Sequence, residues 1–65
     1  TVRETEILQL LAAGRDPAQI SRQLGLSTHT IRDHVKSIRS KLGVQTQLAA
    51  VAEAVHLGII ELDTR

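Results

Sequence analysis

Between residues 22 and 41 the sequence gathers Arg22, Arg32, Lys36, Arg39 and Lys41 against a single acid, Asp33, for a net charge of +4. Residues 42–64 carry Glu53, Glu61 and Asp63 with no lysine or arginine, and the whole chain sums to only +1. Cations clustered on an otherwise neutral or acidic domain suit a phosphate-bearing partner. A solvated helix face rich in lysine and arginine has the same composition, so charge alone leaves both readings open. Other chemistries find less support. His29 and His34 are five residues apart, which does not put them on one helical face, and His56 is remote. With no cysteine and no matched carboxylate to complete a ligand set, no metal is expected. Ser27, His29 and Asp33 bring a hydroxyl, an imidazole and a carboxylate together in sequence, but a chain of 65 residues offers no obvious enclosed cleft or oxyanion site. No catalytic residue and no cofactor is assigned, and an enzyme is not expected.

The cations need a scaffold, and the spacing of apolar residues supplies it. Ile31, Val35, Ile38 and Leu42 recur at steps of four, three and four, the buried stripe of a helix whose other side carries Arg32, Lys36, Arg39 and Lys41. Ser27 is a good N-cap for this helix and Gly43 a good terminator. Upstream, Thr1-Val2-Arg3-Glu4 has the spacing of a capping box, so a first helix starts at about Val2; Ile7, Leu8, Leu10 and Leu11 mark its stripe, and Gly14 stops it. Asp16-Pro17 is a second start signal, with Gln19 placed to complete another capping box. Ile20 and Leu24 face inward on this short helix, which Gly25 ends. Only Leu26 and Ser27 then separate it from the basic helix, so the two must cross steeply as a helix-turn-helix. Ser21 is small where they pass, and Ile20, Leu24, Leu26 and Ile31 form their shared core. Val44 plugs the core after Gly43, and Thr46 caps a fourth helix over about Gln47–Leu57, closed by Gly58. Ile59, Ile60 and Leu62 make a short apolar tail. The expected fold is all-α, a four-helix bundle-like domain with a central helix-turn-helix and no sheet.

Length and composition bound the rest. Sixty-five residues make one small, marginally stable domain. Without Phe, Trp, Tyr, Met or Cys, its core must be Leu, Ile, Val and Ala. Missing cysteines rule out disulfides and suit a reducing cytosol. No apolar run approaches the length of a membrane span, and no signal-peptide pattern opens the chain, so a cytoplasmic location and no membrane partner are expected. The absent initiator methionine suggests a piece of a longer protein.

Thr28 and Thr30 sit in the first turn of the basic helix, where hydroxyls and free amides face an approaching phosphate; helix-start preference explains them equally well. Arg39 and Lys41 suit phosphate clamps, and Arg22 is a weaker one. His34 lies beside the apolar stripe and suits a half-buried structural role.

The ordered set of signals resembles the LuxR-type helix-turn-helix domain found in quorum-sensing and response regulators. The matching pieces are Arg3-Glu4-x-Glu6-Ile7-Leu8, Leu11-Ala12-x-Gly14, Ile20-Ser21, Leu26-Ser27-x-x-Thr30-Ile31-Arg32-x-His34-Val35, Lys41-Leu42-Gly43-Val44, Ala50-Val51 and Gly58-Ile59-Ile60. The resemblance implies a bacterial transcriptional regulator that binds specific sites on double-stranded DNA. It places the recognition helix at about 28–42 and the base-facing positions at Arg32, Asp33 and Lys36. Arg32 can pair bidentately with guanine, while Lys36 suits a base edge or a phosphate equally. Asp33 could accept from a cytosine amino group, but a surface pairing with Lys36 is the simpler role. Two departures lower the expected affinity. The family's usual Ser-Asn-Lys-Glu after Gly14 is replaced by Asp16-Pro17-Ala18-Gln19, and Gln47 stands where an arginine is common.

One recognition helix spans too few base pairs to specify a site, so a homodimer on paired half-sites is expected. Leu48, Val51, Ala52 and Val55 of the fourth helix suit the intramolecular core. That leaves Ala50, Ala54 and Leu57 to meet a symmetry mate, and LuxR-type relatives pair through the corresponding helix. RNA polymerase is a further candidate partner. The alternative function is a helical protein-interaction module that keeps this fold and docks an acidic protein.

Overall fold

A computed structural model describes residues 2–62. Four helices follow one another: α1 (Val2–Ala12), α2 (Pro17–Leu24), α3 (Thr28–Leu42) and α4 (Gln47–His56), with no strand among the described residues. The fold is all-α, as the periodicities predict. The proposed first capping box includes Thr1 and lies outside the described residues, as does the segment Asp63–Arg65.

The second cap is present in full. Asp16 Oδ1 accepts from the Gln19 amide at 2.8 Å, and the Gln19 side chain accepts from the Asp16 amide at 3.0 Å. For α3, Ser27 Oγ accepts from the Thr30 amide at 3.0 Å, and for α4 Thr46 Oγ1 accepts from the Ala49 amide at 3.0 Å. Each such cap is worth about 1 kcal/mol, a meaningful share of a small domain's stability. Gly25 turns the chain between α2 and α3. It sits at φ 69° and ψ 29°, the left-handed region that a side chain would strain, and lets the Leu26 amide donate back to the Ser21 carbonyl at 3.0 Å.

The helix-turn-helix is held from both sides of the crossing. Ile20 and Ile31 are fully buried, while Leu24 and Leu26 pack against the core as partly buried neighbours. Burying each isoleucine contributes about 1.5–3 kcal/mol. Ser21 is also buried; its hydroxyl donates to the Ala18 carbonyl at 2.7 Å and lies 3.3 Å from Thr28 Oγ1. A larger residue at Ser21 would push the two helices apart there.

Ile7, Leu8 and Leu11 of α1, Ile31, Val35 and Ile38 of α3, Ala50 and Ala54 of α4, and Ile60 of the tail complete the core. Ile60 closes the bottom of the core, and Gln9 Nε2 donates to the Glu61 carbonyl at 2.8 Å to hold that tail on α1.

The orientation of α4 differs from the expected one. Ala50 and Ala54 have no exposed surface, whereas Leu48 is 80% exposed and Ala52 is also exposed. Ala50 and Ala54 are therefore core residues, not part of a dimer face. The physical reason is distance. Alanine side chains let α4 lie close against α1 and α3, and a leucine on that side would hold it off. Because α4 is apolar on nearly every side, its periodicity does not select a buried face, and bulk was a misleading guide. Val51 and Val55 are half-buried, as expected, and Leu57 is exposed.

Candidate nucleic-acid interface

With Ile31, Val35 and Ile38 locked in the core, the opposite side of α3 must face outward. Its first nine residues present His29, Arg32, Asp33 and Lys36 to solvent. Residues at such spacing share one side of a helix, so this is a single protruding face. Beside it runs a shallow groove lined by Pro17, Arg32, Val35, Arg39 and Gln47. Pro17 and Gln47 are the first residues of α2 and α4, so the groove lies between two helix starts, the first capped by the Asp16 carboxylate and the second by the Thr46 hydroxyl. A protruding α-helix with Arg32 and Lys36 on its outer face is a geometry for the major groove of duplex nucleic acid.

The description "Bacterial regulatory proteins, luxR family" matches residues 1–54. This chain belongs to the LuxR family. It is 36% identical over 62 residues to the spore germination protein GerE of Bacillus subtilis (strain 168), a match covering 95% of this chain and 84% of GerE. It is 37% identical over 60 residues to the transcriptional regulatory protein MctR of Rhizobium johnstonii, covering 92% of this chain but 28% of MctR. The solved structure of the transcription factor GerE superposes with a TM-score of 0.93 at 41% identity, covering 97% of this chain and 94% of that one. The chain is a LuxR-family helix-turn-helix DNA-binding domain of the transcription-regulator type.

The residues predicted for the interface divide into two groups. Arg32, Asp33 and Lys36 are exposed together on the outer face of α3, and Arg22 is exposed on α2. The others are partly or wholly engaged inside the domain. Thr28 Oγ1 meets Ser21 Oγ, and Thr30 Oγ1 lies 2.8 Å from Ser27 Oγ, so both hydroxyls serve the start of α3. Arg39 Nη1 donates to the Gln45 carbonyl at 3.0 Å and ties down the loop into α4. The Arg39 Nε is buried without a hydrogen-bond partner among the described residues, at the edge of the groove.

Lys41 departs most from its predicted role as a phosphate clamp. Its Nζ donates to Glu4 Oε1 at 2.8 Å, bridging α3 to α1 on the side away from Arg32. The Glu4 side chain is 10% exposed, and the bond from Lys41 holds its carboxyl at about 2, against an opposing push from burial and with help from Ser37. Lys41 is thus a structural cation. In the sequence Glu4 belongs to a capping box and to the family motif; its place one turn ahead of Ile7 and Leu8, on the apolar stripe of α1, is the signal for a partner cation. Asp33 also has a different partner from the one expected. His29 Nε2, not Lys36, lies 3.3 Å from Asp33 Oδ2. His34 is half-buried, in keeping with a structural role.

An acid, Asp16, stands at the start of α2 and caps it. Gln47 lines the groove where an arginine is common. Pro17 and Gln47 bring no charge to the groove, and Arg32 and Arg39 are the cations among its lining residues.

Proposed function

We propose that this domain docks the outer face of α3 in the major groove, with Arg32, Asp33 and Lys36 toward base edges, Arg22 toward the phosphate backbone, and Arg39 toward a phosphate at the groove between α2 and α4. The observation that carries this reading is the separation of the two sides of α3, one fixed in the core and the other presenting Arg32 and Lys36 to solvent. The Arg39 side chain lines that groove, which supports the phosphate contact.

The domain is the output portion of a longer cytoplasmic regulator, for which RNA polymerase is a candidate partner. The chain spans 28% of MctR and 27% of the probable transcriptional regulatory protein SgaR of Hyphomicrobium methylovorum, which supports that arrangement. On DNA the domain pairs with a second copy through α4. With Ala50 and Ala54 buried, the pairing surface is the exposed stripe of Leu48 and Ala52, extended by Leu57. Leu48 and Ala52 also border an apolar groove that reaches Leu11 and Leu62.

The salt dependence of duplex binding tests the reading. Each phosphate neutralised contributes roughly −0.9 to the log–log slope of affinity against salt, so the phosphate contacts of Arg22 and Arg39 imply a slope of roughly −2 per domain. An affinity flat from low to physiological salt would contradict it. Indifference to DNA at low salt would favour a module that docks an acidic protein.

A further inference from the structure

Among the described residues the starts of α2, α3 and α4 are each capped by a side chain, and the cap of α2, beside the groove, is an acid. Ser27 and Thr46 accept from the amides of Thr30 and Ala49 through hydroxyls, each at 3.0 Å. Asp16 does the same for α2 through Oδ1, 2.8 Å from the Gln19 amide. A neutral oxygen suffices for this task, and asparagine or serine caps a helix about as well as aspartate. The charge on Asp16 is therefore surplus to the cap, and its position decides what else that charge does.

Asp16 is exposed and adjoins Pro17, which lines the groove together with Arg32, Val35, Arg39 and Gln47. Pro17 has no amide hydrogen and the Gln19 amide is already bonded to Asp16, so the start of α2 offers an anion less than an open helix terminus does. The Asp16 carboxylate has no ion pair among the described residues. Its charged surroundings are mixed. Arg15 precedes it where the chain leaves α1, and Arg22 stands in the last turn of α2. α3 brings Arg32 and Arg39 to the groove, and α4 brings the neutral Gln47. A phosphate drawn in by Arg32 and Arg39 thus approaches an acid at the same time. Screening confines that repulsion to about 10 Å at 0.1 M salt, so it acts on a phosphate at this groove and fades with distance from it.

We propose that Asp16 is an affinity-limiting residue of the DNA interface: its carboxylate, at the edge of the groove between α2 and α4, repels the phosphate that Arg39 attracts, so a single domain holds duplex DNA weakly and firm occupancy requires the second copy. This rests on the reading of α3 and that groove as the DNA face. Because phosphates are common to every sequence, the repulsion lowers affinity for all duplexes alike and leaves discrimination to the base-facing residues.

The test measures affinity by fluorescence anisotropy at neutral pH, with a half-site duplex recovered by selection from a random pool, a scrambled duplex and a two-half-site duplex. Asp16→Asn removes the charge and keeps a capping oxygen, and Asp16→Ser supplies the hydroxyl that caps α3. Both variants bind the single half-site roughly two- to fivefold more tightly than wild type at low salt, the effect of one water-exposed charge near a phosphate. The gain is the same on the scrambled duplex and shrinks as salt rises. Glu6→Gln removes one charge from the exposed pair with Arg3 on α1 and gains nothing. The wild type fills the two-half-site duplex at a concentration that leaves the single half-site largely free, whereas the Asp16 variants occupy both. Thermal melts verify that every variant is folded at the temperature of the assay. Unchanged or weaker binding in both Asp16 variants overturns the proposal and leaves the DNA reading intact. A gain confined to one sequence, or an equal gain in Glu6→Gln, overturns the placement of the acid beside a phosphate. A wild type that holds one half-site as firmly as two overturns the dependence on a second copy. Absence of binding by wild type and variants at every salt would overturn the DNA reading itself.

Discussion

Lys41→Met removes the ammonium that lies 2.8 Å from Glu4 Oε1 while keeping most of the aliphatic stem. In the wild type the pairing lowers the Glu4 pKa from 4.5 to about 2, with the bond to Lys41 as the largest cause. A shift of that size, taken at face value, corresponds to about 3 kcal/mol. The Lys41 side chain is 57% exposed, however, and screening by water reduces the contribution to roughly 1–2 kcal/mol. For a domain of this size that lowers Tm by roughly 5–15 °C. The pH dependence has a definite direction. Because the folded-state pKa is depressed, the stabilisation is complete above the unfolded value of 4.5 and fades as pH falls toward about 2. Thermal melts followed by circular dichroism therefore show a wide gap between wild type and Lys41→Met at neutral pH that closes with acid. Duplex affinity of the folded variant, measured well below its Tm, stays within about twofold of wild type, since the pair lies on the side of α3 away from Arg32. An unchanged Tm with a marked loss of DNA affinity would refute the reasoning and restore Lys41 as a phosphate clamp.

Arg32→Ala costs about 1–3 kcal/mol on the preferred duplex and blurs selectivity at one base pair, whereas Arg39→Ala weakens all duplexes alike and lowers Tm by freeing the Gln45 loop; competition binding with specific and scrambled duplexes distinguishes them. Leu48→Glu leaves the fold and single half-site binding intact but abolishes cooperative occupancy of a two-half-site duplex, read by mobility shift, while Ala54→Glu unfolds the domain because it places a carboxylate at a fully buried position. Retained cooperativity in Leu48→Glu, or a folded Ala54→Glu, would contradict the orientation assigned to α4.

The sequence made most of the scaffold legible because its signals were local. Asp16, Ser27 and Thr46 cap helices through bonds within three residues of themselves, and an alternation of apolar and polar sides set α3 unambiguously. The placement of Ser21 at a close helix crossing followed from a turn too short to permit any other packing. Two features escaped. The buried side of α4 depends on how closely it approaches α1 and α3, and an almost uniformly apolar helix carries no periodic record of that distance. The functions of Lys41 and Arg39 depend on partners across the fold or beyond the helix end, Glu4 and the Gln45 carbonyl, and a count of cations does not separate those spent on structure from those left for a ligand. Of the expected contact cations, Arg22, Arg32 and Lys36 have neither an ion pair nor a side-chain hydrogen bond among the described residues, and the proposed DNA contacts draw on them and on Arg39.

Amide chemical shifts of the labelled domain, followed by NMR as a selected duplex is added, test the docking face most directly. The largest perturbations fall on residues 28–36 of α3 and on the first turns of α2 and α4 beside the groove, with α1 little changed. Perturbations concentrated on α1 and the exposed side of α4, with the amides around Arg32 and Lys36 unmoved, would contradict the account.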